Sequence, residues 1–168
     1  NFYLADRFET LPVLLSARGY RSAAFVSSFV LDRRYGLSRG FESYDDRMQG
    51  TQSPVVSLEA ERRGDRTARA LSRWLDEYAA APPAGGSPSS RPPFFVWLHL
   101  YDPHEPYHAP PPFGPAFADS PYDGEVAFTD AIVASILDKL GSLGLQTSTL
   151  VAVIGDHGES LGDHGEET

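Results

Sequence analysis

The chain contains no cysteine in its 168 residues. That excludes disulfides, thiolate metal sites and a cysteine nucleophile within this stretch. Basic charge is also scarce, with 14 Lys and Arg against 23 Asp and Glu and a formal net charge of −9. With no basic block, this balance argues against a nucleic-acid-binding surface. An anionic substrate would not be steered by such a field. Its binding would need concentrated local positive charge, and a divalent cation is the simplest supplier. No apolar run is long enough to span a bilayer, and no signal peptide or lipidation motif is present. All 5 histidines lie after residue 98, so the candidate chemistry sits in the second half. No internal repeat is visible except an echo of Gly-Asp-His-Gly-Glu at Gly162 to Glu166. The chain starts at Asn1 and stops at Thr168, just after a glycine-rich motif, which reads as a piece of a longer protein.

What is present fits one α/β domain over residues 1–168, with 41% apolar residues to build a core. Thr10 as cap, Pro12 in the first turn and Gly19 as stop predict a helix over about residues 9–18. Tyr20 to Phe29 reads as a strand, and the glycine- and charge-rich Asp32 to Asp46 as a loop. Its Arg33, Arg34 and Arg39 either face an anion or pair with Asp32, Glu42, Asp45 and Asp46. Helical spacing from Ser57 onward, with Leu71, Trp74, Leu75 and Tyr78 on one face, ends at Ala81-Pro82-Pro83. The Pro/Gly/Ser-rich stretch 81–93 is expected to be a flexible loop. Phe94 to Leu100 is a nearly continuous apolar strand, and Tyr122 to Leu140 the clearest helix. Thr149 to Ile154 is expected to be a strand buried on both faces. The alternation of helices and buried strands implies a parallel sheet.

Two of these strands run into polar clusters. Phe94–Leu100 leads into Asp102-Pro103-His104-Glu105-Pro106-Tyr107-His108, and Val151–Ile154 into Gly155-Asp156-His157-Gly158-Glu159. Ligands of open parallel sheets bind beyond the carboxyl ends of the strands, so the clusters could share one cleft. Asp156 and His157, flanked by glycines, can both turn toward one ion and form half of a metal site. The alternative is a helix cap beside a surface histidine. His104, bracketed by prolines, is the next candidate. His99 reads as a hydrogen-bonded core residue and His108 as a surface one.

These motifs resemble the sulfatase family of the alkaline-phosphatase-like superfamily. The resemblance rests on Asp-Pro-His-x-Pro-Tyr, Tyr-x-Gly-Glu-Val-x-x-x-Asp, and Gly-Asp-His-Gly-Glu-x-x-Gly-x-His-Gly, in that order. Thr10-Leu11, Gly19-Tyr20, Ala23-Ala24-Phe25-Val26 and Gly40-Phe41 also resemble the family's early segment. The resemblance implies part of a three-layer α/β sandwich around a mostly parallel sheet. It implies a sulfuric ester hydrolase acting on a small-molecule or glycan sulfate ester. Asp156 and His157 match two ligands of a divalent metal, usually Ca²⁺. His104 matches the histidine that contacts the ester near its leaving oxygen. The family's nucleophile is a formylglycine made within Cys/Ser-x-Pro-x-Arg.

Departures from the pattern open other expectations. Cys/Ser-x-Pro-x-Arg does not occur, nor does the early Asp-Asp ligand pair, so both are expected upstream of Asn1. Asp45-Asp46 does not match that pair. Where many arylsulfatases carry Lys-x-His, this chain has Ser27-Ser28-Phe29. A phosphodiesterase, phosphonate hydrolase or phosphoethanolamine-type transferase on the same fold is therefore an alternative, with Mn²⁺ or Zn²⁺ at the Asp-His pair. A non-catalytic, metal-stabilised binding domain is a third. The family resemblance suggests a periplasmic or extracellular location.

Overall fold

The computed structural model describes residues 3–48, 61–82 and 91–162. Most of the stretch 81–93, the start of the helical pattern at Ser57, and nearly all of the Gly162–Glu166 echo lie outside the described residues.

The described chain is an α/β assembly of a three-stranded parallel sheet with helices. The elements are α1 (Leu11–Ser16), β1 (Arg21–Phe25), β2 (Ser43–Asp45), α2 (Gly64–Ala80), β3 (Phe94–Leu98), α3 (Phe113–Ala116) and α4 (Pro121–Ser142). Strand order is β2-β1-β3. Register pairs Phe25 with Asp45 on one side and with Leu98 on the other. All three strands therefore end on one edge. Beyond them, Val26 N–H donates to the Asp45 carbonyl at 3.0 Å and His99 N–H to the Phe25 carbonyl at 2.9 Å, so the alignment continues into the loops.

The period-2 alternation of strands and the 3.6 period of helices meet in one core. Ala23 and Phe25 of β1 and Phe94, Val96 and Leu98 of β3 face Leu71, Trp74, Leu75 and Tyr78 of α2 and Leu140 of α4. On alternate positions of β3, Phe95 and Trp97 stack with Phe41, at centroid distances of 5.9 and 6.4 Å. Both faces of β3 thus carry apolar cover, which is why its sequence is a continuous apolar run rather than an alternating one. A second cluster joins Ala68 of α2 to Phe128 and Ile132 of α4, with Leu100, Ala109 and Phe113 packed against it. It seats the segment between β3 and α4.

The short first helix matches its predicted stop, since Gly19 takes φ +81°. Its cap differs from expectation. Thr10 makes no side-chain cap; its hydroxyl donates instead to the Arg39 carbonyl at 3.0 Å, fastening α1 to the following loop. Gly40 holds that junction closed with φ +90°, and a Cβ there would sit 2.4 Å from the Val13 nitrogen.

Three strand expectations are corrected. The strand read over Tyr20–Phe29 is confined to Arg21–Phe25, and Phe29 opens a helical turn over Phe29–Leu31. The loop assigned to Asp32–Asp46 contains β2. Ser-Tyr-Asp has no apolar alternation, and its strand character comes wholly from backbone pairing with β1. Conversely, Thr149–Ile154 forms no strand and is not buried: Leu150 is 94% exposed and Ile154 86%. A strand requires a ladder partner as well as β-prone residues, and no described strand pairs with this run. Two arginines of the loop pair with its own acids, Arg33 with Asp46 and Arg34 with Asp32, whereas Arg39 reaches outside the loop to Asp6.

Candidate functional site

The common carboxyl edge of the strands is where the polar residues gather. Arg62 lies there almost fully buried, its N–H on the Ser27 carbonyl at 2.7 Å. Its Nη1 donates to Asp45 Oδ1 at 2.9 Å and its Nε to Thr67 Oγ1 at 2.8 Å. Thr67 in turn shares a 2.7 Å hydrogen bond with Ser27. The ends of β1 and β2 and the start of α2 are joined through this buried network. Asp45 also accepts from Arg47. The two guanidinium partners overcome its burial and hold its carboxyl well below the usual carboxylate range. Ser27 and Ser28, which follow β1, are both buried and offer no exposed hydroxyl.

After β3 the chain enters the loop that holds His104. Each end of this loop is tied to a helix. Asp102 Oδ2 accepts from the Gly64 N–H at the start of α2 at 2.8 Å, and the Thr129 hydroxyl of α4 donates to the Asp102 carbonyl at 3.0 Å. The His108 N–H donates to Glu125 Oε1 at 2.7 Å, and Glu125 is itself buried in α4. Between these ties, His104 stacks on Tyr101 with centroids 4.3 Å apart. Its Nδ1 lies 2.7 Å from the Glu105 carbonyl. A carbonyl only accepts, so Nδ1 carries a proton and Nε2 is the nitrogen left for other chemistry.

Burial raises the carboxyl groups of Glu61, Asp102 and Glu125, and their mutual repulsion adds to the effect at Glu61 and Glu125. A carboxyl raised above its unfolded value of about 3.9 favours folding most when protonated, and that contribution is lost as pH rises through the folded value. Asp102→Asn keeps an oxygen acceptor for Gly64 and removes the buried charge. Its unfolding free energy should change less between about pH 4 and pH 7 than that of the wild type, as read by urea denaturation at the two pH values.

The second motif is held differently. Asp156 and His157 are exposed. Their side chains lie side by side, with His157 Nε2 4.0 Å from Asp156 Oδ2. The His157 N–H donates to Asp156 Oδ1 at 3.1 Å, and its Nδ1 sits 3.0 Å from the Gly158 carbonyl. That carbonyl, followed by the Asp156 charge, raises the imidazole's pKa. The Tyr107 hydroxyl donates to Glu159 Oε2 at 3.1 Å, which brings the two motif loops together across 52 positions of sequence. Nearby, burial lowers the pKa of half-buried His99, while the Asp156 charge partly opposes this. His99, expected to be a hydrogen-bonded core residue, is half-buried, and among the described residues its Nδ1 has no partner while its backbone N–H is bonded to the Phe25 carbonyl. His108 is exposed, as expected.

The structure thus joins the loops of His104 and Asp156-His157 through Tyr107 and Glu159. Among the described residues it assembles no group of three or more carboxylate, imidazole or thiolate side chains able to hold a metal. From sequence, Arg62 reads with Arg63, Arg66 and Arg69 as the solvated face of a helix and Glu125 as charge near a helix start; the structure corrects both, since Arg62 is buried just ahead of α2 and Glu125 is buried within α4. Glu159 and Tyr107 lay inside quoted motifs, and nothing in their spacing signalled that they would meet.

The sulfatase family's sequence model matches residues 2–168. The chain belongs to the sulfatase family. No curated protein matches its sequence. Among solved structures it is similar to Ps i-CgsB, both alone and in complex with k-i-k-neocarrahexaose. In each case the TM-score is 0.56 at 16% identity, over 86% of this chain and 41% of that one. This sulfatase chain therefore spans under half the length of those structures, and the likeness shows the fold. No helix among its described residues is long and apolar enough to cross a membrane.

Proposed function

We propose that this sulfatase-family chain is the central part of the catalytic domain of a sulfuric ester hydrolase. The observation that carries the reading is the Tyr107–Glu159 hydrogen bond. It joins the loop that follows the β3 edge to the loop bearing Asp156 and His157, in a chain whose family match covers residues 2–168. His104 is the group that would face the ester's leaving oxygen. The Glu105 carbonyl holds its Nδ1 proton and Tyr101 fixes its ring plane. The free Nε2 can then hold or release a proton at that oxygen as the S–O bond breaks.

The pair Asp156–His157 fits a divalent cation. An exposed carboxylate stands beside an imidazole whose Nδ1 is turned to a backbone carbonyl, which leaves Nε2 and the carboxylate oxygens as donors. Ca²⁺ is the expected ion, and when bound it would offset charge on the sulfuryl oxygens. The nucleophile, a formylglycine, and the remaining acidic ligands are proposed to come from outside residues 1–168. By this reading the 168-residue chain alone shows no turnover. A glycan sulfate ester is the favoured substrate class, since similar Ps i-CgsB was solved with k-i-k-neocarrahexaose.

One feature favours a phosphoryl-transfer reading instead. The imidazole at position 157 suits Mn²⁺ or Zn²⁺ as well as Ca²⁺. The two are separated by assaying the full-length protein on 4-nitrophenyl sulfate and 4-nitrophenyl phosphate after chelation and re-addition of each metal. Sulfate ester hydrolysis restored by Ca²⁺ is the expected result. Turnover of the phosphate ester alone, restored by Mn²⁺ or Zn²⁺, would overturn the sulfatase activity.

A further inference from the structure

Asp156 and His157 sit on a loop with little to hold it. Residues 150–158 are exposed, and a Cβ built at Gly158 would meet nothing within 4 Å. The loop bearing His104, in contrast, is tied to α2 through Asp102 and to α4 through Thr129 and Glu125. Tyr107 belongs to that fixed loop. Its ring meets Tyr122, in the first turn of α4, edge-on at 5.5 Å, and the next backbone N–H is held by Glu125. The position of its hydroxyl is therefore set by α4. Glu159 follows His157 by two residues and accepts from that hydroxyl at 3.1 Å.

We infer that Tyr107 and Glu159 form a latch that fixes the Asp156–His157 pair relative to His104. Tyr107 is thus a positioning residue, acting through Glu159 on two candidate cation ligands. The inference rests on the proposed reading of Asp156 and His157 as ligands. Its chemistry is that of an outer-shell hydrogen bond, which orients a ligand loop without touching the ion. Because Tyr107 reaches Glu159 with a neutral hydroxyl, any acceptor oxygen at position 159 can complete the latch, whatever its charge.

The test uses the full-length protein and four variants: Tyr107→Phe, Glu159→Ala, Glu159→Gln, and Tyr107→Phe with Glu159→Ala. Two quantities are read, the dissociation constant for Ca²⁺ or Mn²⁺ by calorimetric titration and the amide exchange rates of Gly155 to Gly158. Tyr107→Phe keeps the ring against Tyr122 and removes only the donor. It should weaken cation binding about tenfold and accelerate exchange in the loop. Exchange within α2 and α4 should stay as in the wild type. Glu159→Ala should match it, the double variant should be no worse than either, and Glu159→Gln should stay within about threefold of wild type. Unchanged affinity and exchange in Tyr107→Phe would overturn the latch. So would a Glu159→Gln variant as impaired as Glu159→Ala, because that would assign the effect to charge. Wild-type protein that takes up neither cation would sink the ligand reading instead, and the exchange rates would then decide the Tyr107–Glu159 bond by itself.

Discussion

Replacing Asp156 by alanine should abolish tight cation binding in the full-length protein and lower kcat/KM on a sulfate ester by roughly 10³-fold or more. The size follows from the several kcal/mol of charge stabilisation that a metal supplies to a transferring group, at about tenfold per 1.4 kcal/mol. The fold should hardly notice the change. Asp156 is exposed, and its hydrogen bond goes to the next residue's own N–H. Removing such a group leaves stability within about 0.5 kcal/mol. Loss of function with a urea midpoint unchanged in the presence of chelator therefore isolates the ligand role. Asp156→Asn keeps one oxygen donor and should retain part of the affinity. Calorimetric titration with Ca²⁺ and Mn²⁺, beside steady-state kinetics, reads both effects. An alanine variant that binds cation and turns over like wild type would remove Asp156 from the site.

The largest structural effect is expected at Arg62. Arg62→Met should destabilise the protein by about 3 kcal/mol, since breaking a buried ion pair costs about 3–5 kcal/mol. The lower end applies because Asp45 retains Arg47 on its exposed side. The lost contacts are those to Asp45 at 2.9 Å, to Thr67 at 2.8 Å and to the Arg47 carbonyl at 3.4 Å, in a side chain only 7% exposed. A pH signature accompanies the loss. Asp45 is held below its unfolded value of about 3.9, so its contribution is present above that pH and disappears as pH falls through the folded value. The gap between wild type and Arg62→Met should therefore be widest near neutrality and narrow below about pH 4. Urea denaturation at several pH values reads both the gap and its narrowing. A constant gap would mean that Arg62 acts through packing rather than through Asp45.

Much of the fold was legible because periodicity and packing agree. The spacing of Leu71, Trp74, Leu75 and Tyr78 placed α2 against the sheet, and those residues form the core with β1 and β3. The aromatic run of β3 advertised a strand covered on both faces, and stacking with Phe41 supplies the second face. The misreadings of Asp32–Asp46 and Thr149–Ile154 have one cause. Strand identity depends on a partner elsewhere in the chain, which composition does not encode. Ser43-Tyr44-Asp45 pairs without looking like a strand, and Thr149–Ile154 looks like one without pairing. The candidate site was legible as residue types after strands, which brought out His104, Asp156 and His157. Its supports were not. The ties of Asp102 to Gly64, of Glu125 to His108 and of Tyr107 to Glu159 join residues 17 to 52 positions apart, with no periodic signal.

The apolar run ahead of Gly155 has a further consequence, for how the chain behaves in quantity. Val153 and Ile154 stand 75% and 86% exposed, and β3 ends the sheet among the described strands. A β-prone, uncharged segment and an open edge in one molecule are the two halves of a self-assembly template. Copies of this chain at high concentration would be drawn to dock the run of one molecule on the edge of another, a heterologous contact that builds open chains rather than closed dimers. Concentration would then set the working limit of the purified chain.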